Sequence, residues 1–268
     1  MSFEKITIPK SDFDTYFVTD VHGMYDLLQE AKNEIGYRSP DMNGNVFDRM
    51  ISCGDLCDRG ARNYDLMQMF RYSPDKMAII GNHEIMGYLG VEEGSSSRQH
   101  WLGNGGGWSN DYEHAVLKDV FDWAIELPYA MEIEFEGGPL VGLVHAGIPE
   151  GLSWGSVRSS LLTNNGSEYS DWLKSVLVWD RSNFNQSNSH TVGDIDLVLH
   201  GHNVSDDVLE LGNRIYFDTG APRVSPGNNR CLTMLKYEKD GKGTIGNGWF
   251  SCHQFSIDDF GQLVYINY

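Results

Sequence analysis

Positive charge is scarce in this chain. Its 268 residues carry 20 Lys and Arg against 38 Asp and Glu, a formal net charge of −18. A sequence-independent grip on DNA or RNA needs a surplus of cations facing the phosphates, so this composition points away from nucleic-acid binding. Docking on anionic membranes is disfavoured for the same reason. Long apolar runs are missing too. None approaches the ~18 residues of a membrane span, and the charged N-terminal stretch MSFEKITIPKSDFD lacks the apolar core of a signal peptide. Cysteine is sparse: Cys53, Cys57, Cys231 and Cys252 form no C-x-x-C pair, which disfavours a zinc ribbon or a thioredoxin-type site. Cys53 and Cys57 read as small buried hydrophobes, and reduced thiols in a cytoplasmic protein are expected. The glycine-rich run 103–107 lacks the Gly-Lys-Ser/Thr ending of a phosphate cradle. It reads as a tight surface turn packed by Trp101 and Trp108.

What is present is a globular composition, 40% hydrophobic and 12% aromatic, which supports a core without disulfide staples. Short β-rich runs alternate with helical patterns. Strands are expected over 15–19, 49–53 and 76–80, each ending in a polar loop, with helices over 25–34 and 64–72 between them. A hairpin is expected over 130–145, a helix over 167–177, a strand over 196–200 and a second hairpin over 208–218. Three or four short strands follow residue 231. The polar stretches 92–98 and 181–189 read as surface loops, and His114 and His190 as solvent-exposed. The result is a mixed α/β (α+β) protein with two sheets, its second half the more antiparallel.

Five loops at strand ends carry the chemistry: Asp20-Val-His22-Gly, Gly-Asp55-Leu-Cys-Asp58-Arg59-Gly, Gly-Asn82-His83-Glu84, Val-His145-Ala-Gly and His200-Gly-His202. They supply carboxylates, imidazoles and an amide oxygen, the donor set of a divalent metal of intermediate hardness. Calcium, which prefers oxygen throughout, and an all-thiolate zinc cage are disfavoured. Any one loop has a bland reading as a turn, a cap or a packed core histidine, and for His200 that reading is preferred. All five in order, in like contexts, do not.

With these loops, and with the stretches HWLGNGGGW from His100, ELP from Glu126, VWDR ending at Arg181 and FDTGA from Phe217, the chain resembles the phosphoprotein phosphatase branch of the calcineurin-like metallophosphoesterases, closest to the bacteriophage lambda type. The resemblance covers roughly 14–235 of one 1–268 domain and leaves 236–268 as a β-rich C-terminal extension. It implies a four-layer αββα sandwich of two mixed β-sheets flanked by helices, with a dimetal site at strand C-terminal ends. It implies two divalent metal ions, Mn²⁺ first and Fe²⁺, Zn²⁺ or Ni²⁺ as alternatives. Asp20 and His22 would bind one metal and Asn82, His145 and His202 the other, with Asp55 bridging. Arg59 and Arg181 would clamp the phosphoryl group, and His83 would be a general acid held by Asp58. The reaction implied is direct attack by a metal-bridging hydroxide on a phosphoserine or phosphothreonine monoester, with phosphotyrosine and small aryl phosphates as further substrates. The alternatives are a diadenosine polyphosphate hydrolase, a broad-specificity phosphoesterase, or a catalytically dead binding module. Asp58 and Glu84 favour the protein phosphatase, since many polyphosphate hydrolases have Ala and Asp there. Two departures lie next to ligands: Ala146 stands where many relatives have Gly, although the lambda type also has Ala there, and Asn203 stands where Thr is usual.

Overall fold

The structure is a computed structural model that describes residues 2–41, 47–92, 94–163 and 167–268. The chain enters through β1 (Phe3–Ile8), β2 (Thr15–Val18), α1 (Tyr25–Glu34), β3 (Arg49–Ser52), α2 (Asn63–Tyr72) and β4 (Lys76–Ala78). Four helices follow in part: α3 (Asn82–Glu92), α4 (Ser95–Gly103) and α5 (His114–Ala124) precede β5 (Ala130–Phe135) and β6 (Leu140–Val144), and α6 (Trp154–Thr163) comes after them. Next are α7 (Glu168–Trp179), α8 (Ser182–Asn185), β7 (Leu197–His200), β8 (Leu209–Leu211) and β9 (Arg214–Tyr216). The chain closes with β10 (Leu232–Tyr237), β11 (Phe250–Ile257) and β12 (Leu263–Asn267).

Alternation along the strands sets the layers. In β2, Tyr16 and Val18 turn to one side, where Leu28, Leu66, Phe70 and Phe121 of α1, α2 and α5 cover them. Phe17 turns to the other side and meets Ile51 and Ile79 from its own sheet and Ile133, Leu143 and Leu199 from the opposite one. A third apolar layer joins Ala130, Val144 and Val198 to Trp154, Val157, Leu173 and Leu177 of α6 and α7. Three apolar seams between four layers make the expected αββα sandwich. One sheet runs β1-β5-β6-β7-β9-β8 and the other β12-β11-β10-β2-β3-β4. The strands β2, β3 and β4 are mutually parallel, and β6 and β7 are parallel. Their C-terminal ends therefore gather the five polar loops at one end of the sandwich.

Two stretches differ from the sequence reading. Within 92–98, α3 runs through Glu92 and Ser95 already opens α4, after Gly94 at φ +86°. The polar residues there are the first turn of a helix whose only buried residue is Trp101, so no apolar period announces it. Glu93 lies outside the described residues. Within 181–189, Ser182–Asn185 form the short helix α8. The sequence reading had no counterpart for β1, which pairs with β5 in parallel from Phe3 opposite Ala130 to Ile8 opposite Phe135. Beyond residue 236, β11 and β12 lengthen the edge of the second sheet, β11 pairing with β10. No helix among the described residues is long and apolar enough to cross a membrane.

Candidate metal centre

The loops are zipped together by their backbones before any side chain acts. The N–H groups of Asp20, His22 and Gly23 donate to the carbonyls of Gly54, Asp55 and Leu56 at 3.2, 3.0 and 2.8 Å. Gly201 N–H donates to the His145 carbonyl at 2.9 Å. Two glycines make room: a Cβ on Gly81 would strike Asp55 Oδ1, and one on Gly201 would strike Thr19 and Asp20. Glu84 ties the ends of β3 and β4 together, accepting from Asp55 N at 3.0 Å, Leu56 N at 2.7 Å and Gly81 N at 2.8 Å. Asp20, His22, Asp55, Asp58, Arg59 and His202 all have left-handed φ between 48° and 76°. They are six of the nine such non-glycine residues among those described, so backbone strain is concentrated here.

The side chains converge on Asp55. Its Oδ2 lies 3.5 Å from His22 Nε2, and its Oδ1 lies 3.3 Å from His145 Nε2. Asn82 Oδ1 is 3.1 Å from His145 Nε2, and Asp20 Oδ1 is 3.9 Å from His22 Nε2. Asp20 Oδ2 accepts from the Thr19 hydroxyl and, at 2.9 Å, from His202 N. Ligand atoms of Asp55, His145 and His202 fall within 4.8 Å of one another, as do those of His22, Asp55 and His83. Asp55 belongs to both groups. The structure thus brings all six sequence-predicted ligands together, and every one is buried.

Electrostatics suit a cation. Burial and the Asp218 carboxylate push Asp20 well above its ordinary range. Burial, with the charge of Asp55, raises Asp218 to about 6. Burial works against the Asp55 charge, yet His145 and His83 hold it well below the usual carboxylate range. Burial would lower His145, but Asp55 raises it to about 10. Burial pushes His22 down to about 3 and His202 to about 2, leaving neutral rings. His22 Nδ1 donates to the Cys57 carbonyl at 2.6 Å and His145 Nδ1 to the Cys53 carbonyl at 2.7 Å. These bonds fix the tautomers and leave both Nε2 atoms toward Asp55. His202 Nε2 is buried without a hydrogen-bond partner among the described residues. Crowded carboxylates beside the neutral imidazoles of His22 and His202, with an unused ring nitrogen, fit divalent cations.

A second constellation adjoins the first. His83 Nδ1 donates to Asp58 Oδ2 at 2.7 Å. Asp58, fully buried, also accepts from the indole N–H groups of Trp101, at 2.9 Å, and Trp108, at 2.8 Å. The run 103–107 is therefore not merely a surface turn. It joins two tryptophans that hold a carboxylate, and its Gly105 carbonyl accepts from Arg59 N at 3.1 Å. The sequence reading set the two tryptophans against the glycines but not against Asp58. Arg59 donates to His22 Nε2 at 2.6 Å and to His83 Nε2 at 2.9 Å. Arg181, exposed at the mouth, donates to the His202 carbonyl at 3.0 Å and to Asn203 Oδ1 at 3.2 Å. The Asn203 amide reaches the Ala146 and Asp180 carbonyls, both at 3.3 Å, so it joins three loops. His200 stays apart, stacked on Tyr216 with ring centroids 4.6 Å apart. His114 is exposed as expected, but His190 is half-buried, with Nδ1 3.4 Å from Arg214.

Comparison with known proteins gives this geometry its context. The calcineurin-like phosphoesterase family model matches residues 13–206. Serine/threonine-protein phosphatase 2 of Escherichia coli (strain K12) is 27% identical over 216 residues, 77% of this chain and 87% of that protein. The symmetrical bis(5'-nucleosyl)-tetraphosphatase of Coxiella burnetii (strain Dugway 5J108-111) is 29% identical over 158 residues, 56% of this chain and 46% of that enzyme. Among solved structures, a protein serine/threonine phosphatase from Saccharomyces cerevisiae superposes with a TM-score of 0.59 at 12% identity, covering 98% of this chain and 82% of that one, which speaks to the fold.

Proposed function

Since the chain belongs to the calcineurin-like phosphoesterase family, we propose that this phosphoesterase is a protein phosphatase that hydrolyses phosphoserine and phosphothreonine monoesters. The observation that carries the reading is the buried Asp58–His83 pair, 2.7 Å apart and braced by two indoles. A serine or threonine alkoxide is a strongly basic leaving group and needs a proton as it departs. The phosphate leaving group of a dinucleotide polyphosphate is far less basic and needs it less. A site that spends two tryptophans on orienting one histidine is suited to the harder task. Beside it, a cleft of about 350 Å³ lined by Ile85, Leu89, His100 and Trp179 offers room for an apolar side chain next to the phosphorylated residue.

Asp20, His22, Asp55, Asn82, His145 and His202 would hold two divalent metal ions, with manganese the first candidate. Bound there, the ions would activate a water molecule and neutralise charge on the phosphoryl oxygens. The chain's own residues do the rest. Arg181 and Arg59 receive the phosphoryl oxygens through forked donors. Engagement of Arg59 by phosphate withdraws it from His83, freeing that Nε2 lone pair. His83 can then carry a proton on Nε2, with Asp58 stabilising the imidazolium, and pass it to the departing oxygen.

The tetraphosphatase reading stays as the alternative because the Coxiella enzyme matches over 158 residues. One kinetic panel with Mn²⁺ separates them. Phosphoserine and phosphothreonine peptides should be turned over well above diadenosine tetraphosphate in kcat/KM. The reverse order would overturn the protein-phosphatase reading, and activity that survives chelation would overturn the metal assignment.

A further inference from the structure

Helix α7 presents an unusual outward face. Tyr169, Trp172 and Trp179 are 45%, 48% and 41% exposed, three of the nine large apolar side chains in the open among the described residues. With half-buried Val176 they fall at a spacing of three, four and three residues, which is one stripe of a helix. The rings of Tyr169 and Trp172 lie 5.4 Å apart. The opposite face, Ser170, Leu173, Leu177 and Val178, is buried, so the aromatics are not needed for the core. Aromatic side chains lined up in solvent mark interaction surfaces.

The stripe is continuous with the candidate active site. Trp179 stands edge-on to His202, ring centroids 6.3 Å apart, and directly precedes Asp180 and Arg181. It parts the apolar cleft on the α3–α4 side from a second cleft of about 250 Å³ lined by Tyr129, Asp171, Lys174 and Ser175. The charge beside the stripe is acidic: Glu168 and Asp171 occupy the first turn of α7 and are exposed. Lys174, the only cation of the helix, lies 5.6 Å from the Tyr129 ring centroid and 3.9 Å from Asp171 Oδ1, which leaves Glu168 as the charge of the first turn open to a cationic partner.

We infer that the aromatic stripe of α7 is a docking track for the substrate polypeptide, reading aromatic or aliphatic residues interspersed with Lys or Arg at a distance from the phosphorylated residue. This rests on the protein-phosphatase reading above. Trp172 and Tyr169 precede Trp179 by about 10 and 15 Å of helix, Trp179 lies 6.3 Å from His202, and an extended chain rises about 3.3 Å per residue, so the two rings meet substrate about five to seven residues from the phosphoserine. Trp179 belongs to the mouth of the site, whereas Tyr169 and Trp172 are remote from the chemistry and serve affinity alone.

The test compares two long phosphoserine peptides identical around the phosphate. One carries Phe and Arg five to seven residues away, made in both N- and C-terminal versions, and the other carries Ala and Arg there, so that the two have equal charge. A small aryl phosphate is the control. Wild type should prefer one Phe/Arg version by about fivefold or more in kcat/KM, through KM. Trp172→Ala, alone and with Tyr169→Ala, should erase the preference and leave aryl phosphate turnover unchanged. Equal turnover of the peptides by wild type, or a preference that survives in Trp172→Ala, overturns the docking track while the phosphatase reading stands. Aryl phosphate turnover with no phosphopeptide turnover overturns both. A wild-type dimer made monomeric by Trp172→Ala, with peptide preference unchanged, assigns the stripe to self-association instead.

Discussion

At Asp58 a buried carboxylate accepts from three ring nitrogens, those of His83, Trp101 and Trp108. The two indole donors share the anion and fix the oxygen that faces His83. Removing one leaves the pair in place but less oriented. Trp108→Phe should therefore lower kcat on a phosphoserine peptide about tenfold, lose about 1 kcal/mol of stability, and lower p-nitrophenyl phosphate turnover much less, because nitrophenolate leaves without a proton. His83→Asn should show the same split more strongly, with Mn²⁺ affinity by calorimetry little changed. Equal losses on both substrates in Trp108→Phe would reduce that indole to a packing role. The ligand types were readable residue by residue, because carboxylates and imidazoles keep their donor chemistry wherever they fall. The indole donors were not, because Trp101 and Trp108 stand 43 and 50 residues from Asp58 and reach it only once α4 has packed.

Among elements, legibility followed burial pattern. Helix α1 buries Leu27, Leu28 and Ala31 on one face, and its predicted bounds match the observed ones. Helix α4 buries Trp101 alone and β1 carries no turn signal before it, so neither stood out. The edge of the second sheet contributes a pH dependence of its own. In β11, His253 is buried, bonded through Nδ1 to the Tyr265 hydroxyl of β12 at 2.6 Å, and stacked on that ring. Burial, helped by the charge of Lys236, lowers it to about 4, with Glu238 and Asp14 acting the other way. The unfolded chain then binds more protons than the native one between the ordinary histidine pKa of about 6.5 and pH 4, so stability is full above that window and falls as pH drops through it. Relative to His253→Phe, which keeps the stack and cannot titrate, wild type should lose about 2 kcal/mol between pH 7.5 and pH 5, read from denaturant midpoints. Parallel curves for the two proteins would remove His253 as the cause.

For the whole molecule, the net charge of −18 and the cationic Arg59 and Arg181 at the candidate site act on substrates at different ranges. A single phosphoryl group meets the arginines, while the flanking sequence meets the acidic surface. Phosphopeptides with basic flanks should exceed acidic ones in kcat/KM at low salt, and the ratio should shrink toward one near 0.5 M salt, where the Debye length falls to about 4 Å. A ratio of one at low salt would show that the long-range field does not sort substrates.

The sequence by itself determined the donor set, the strand-end placement of the five loops and the two-sheet class, because these depend on residue chemistry and on local periodicity. Tertiary structure decided which groups share a space. It set Asp55 between two histidine pairs, brought two indoles to Asp58, paired β1 with β5 across more than a hundred residues, and left the aromatics of α7 uncovered. Each is a through-space relation between distant parts of the chain, and no local pattern encodes it.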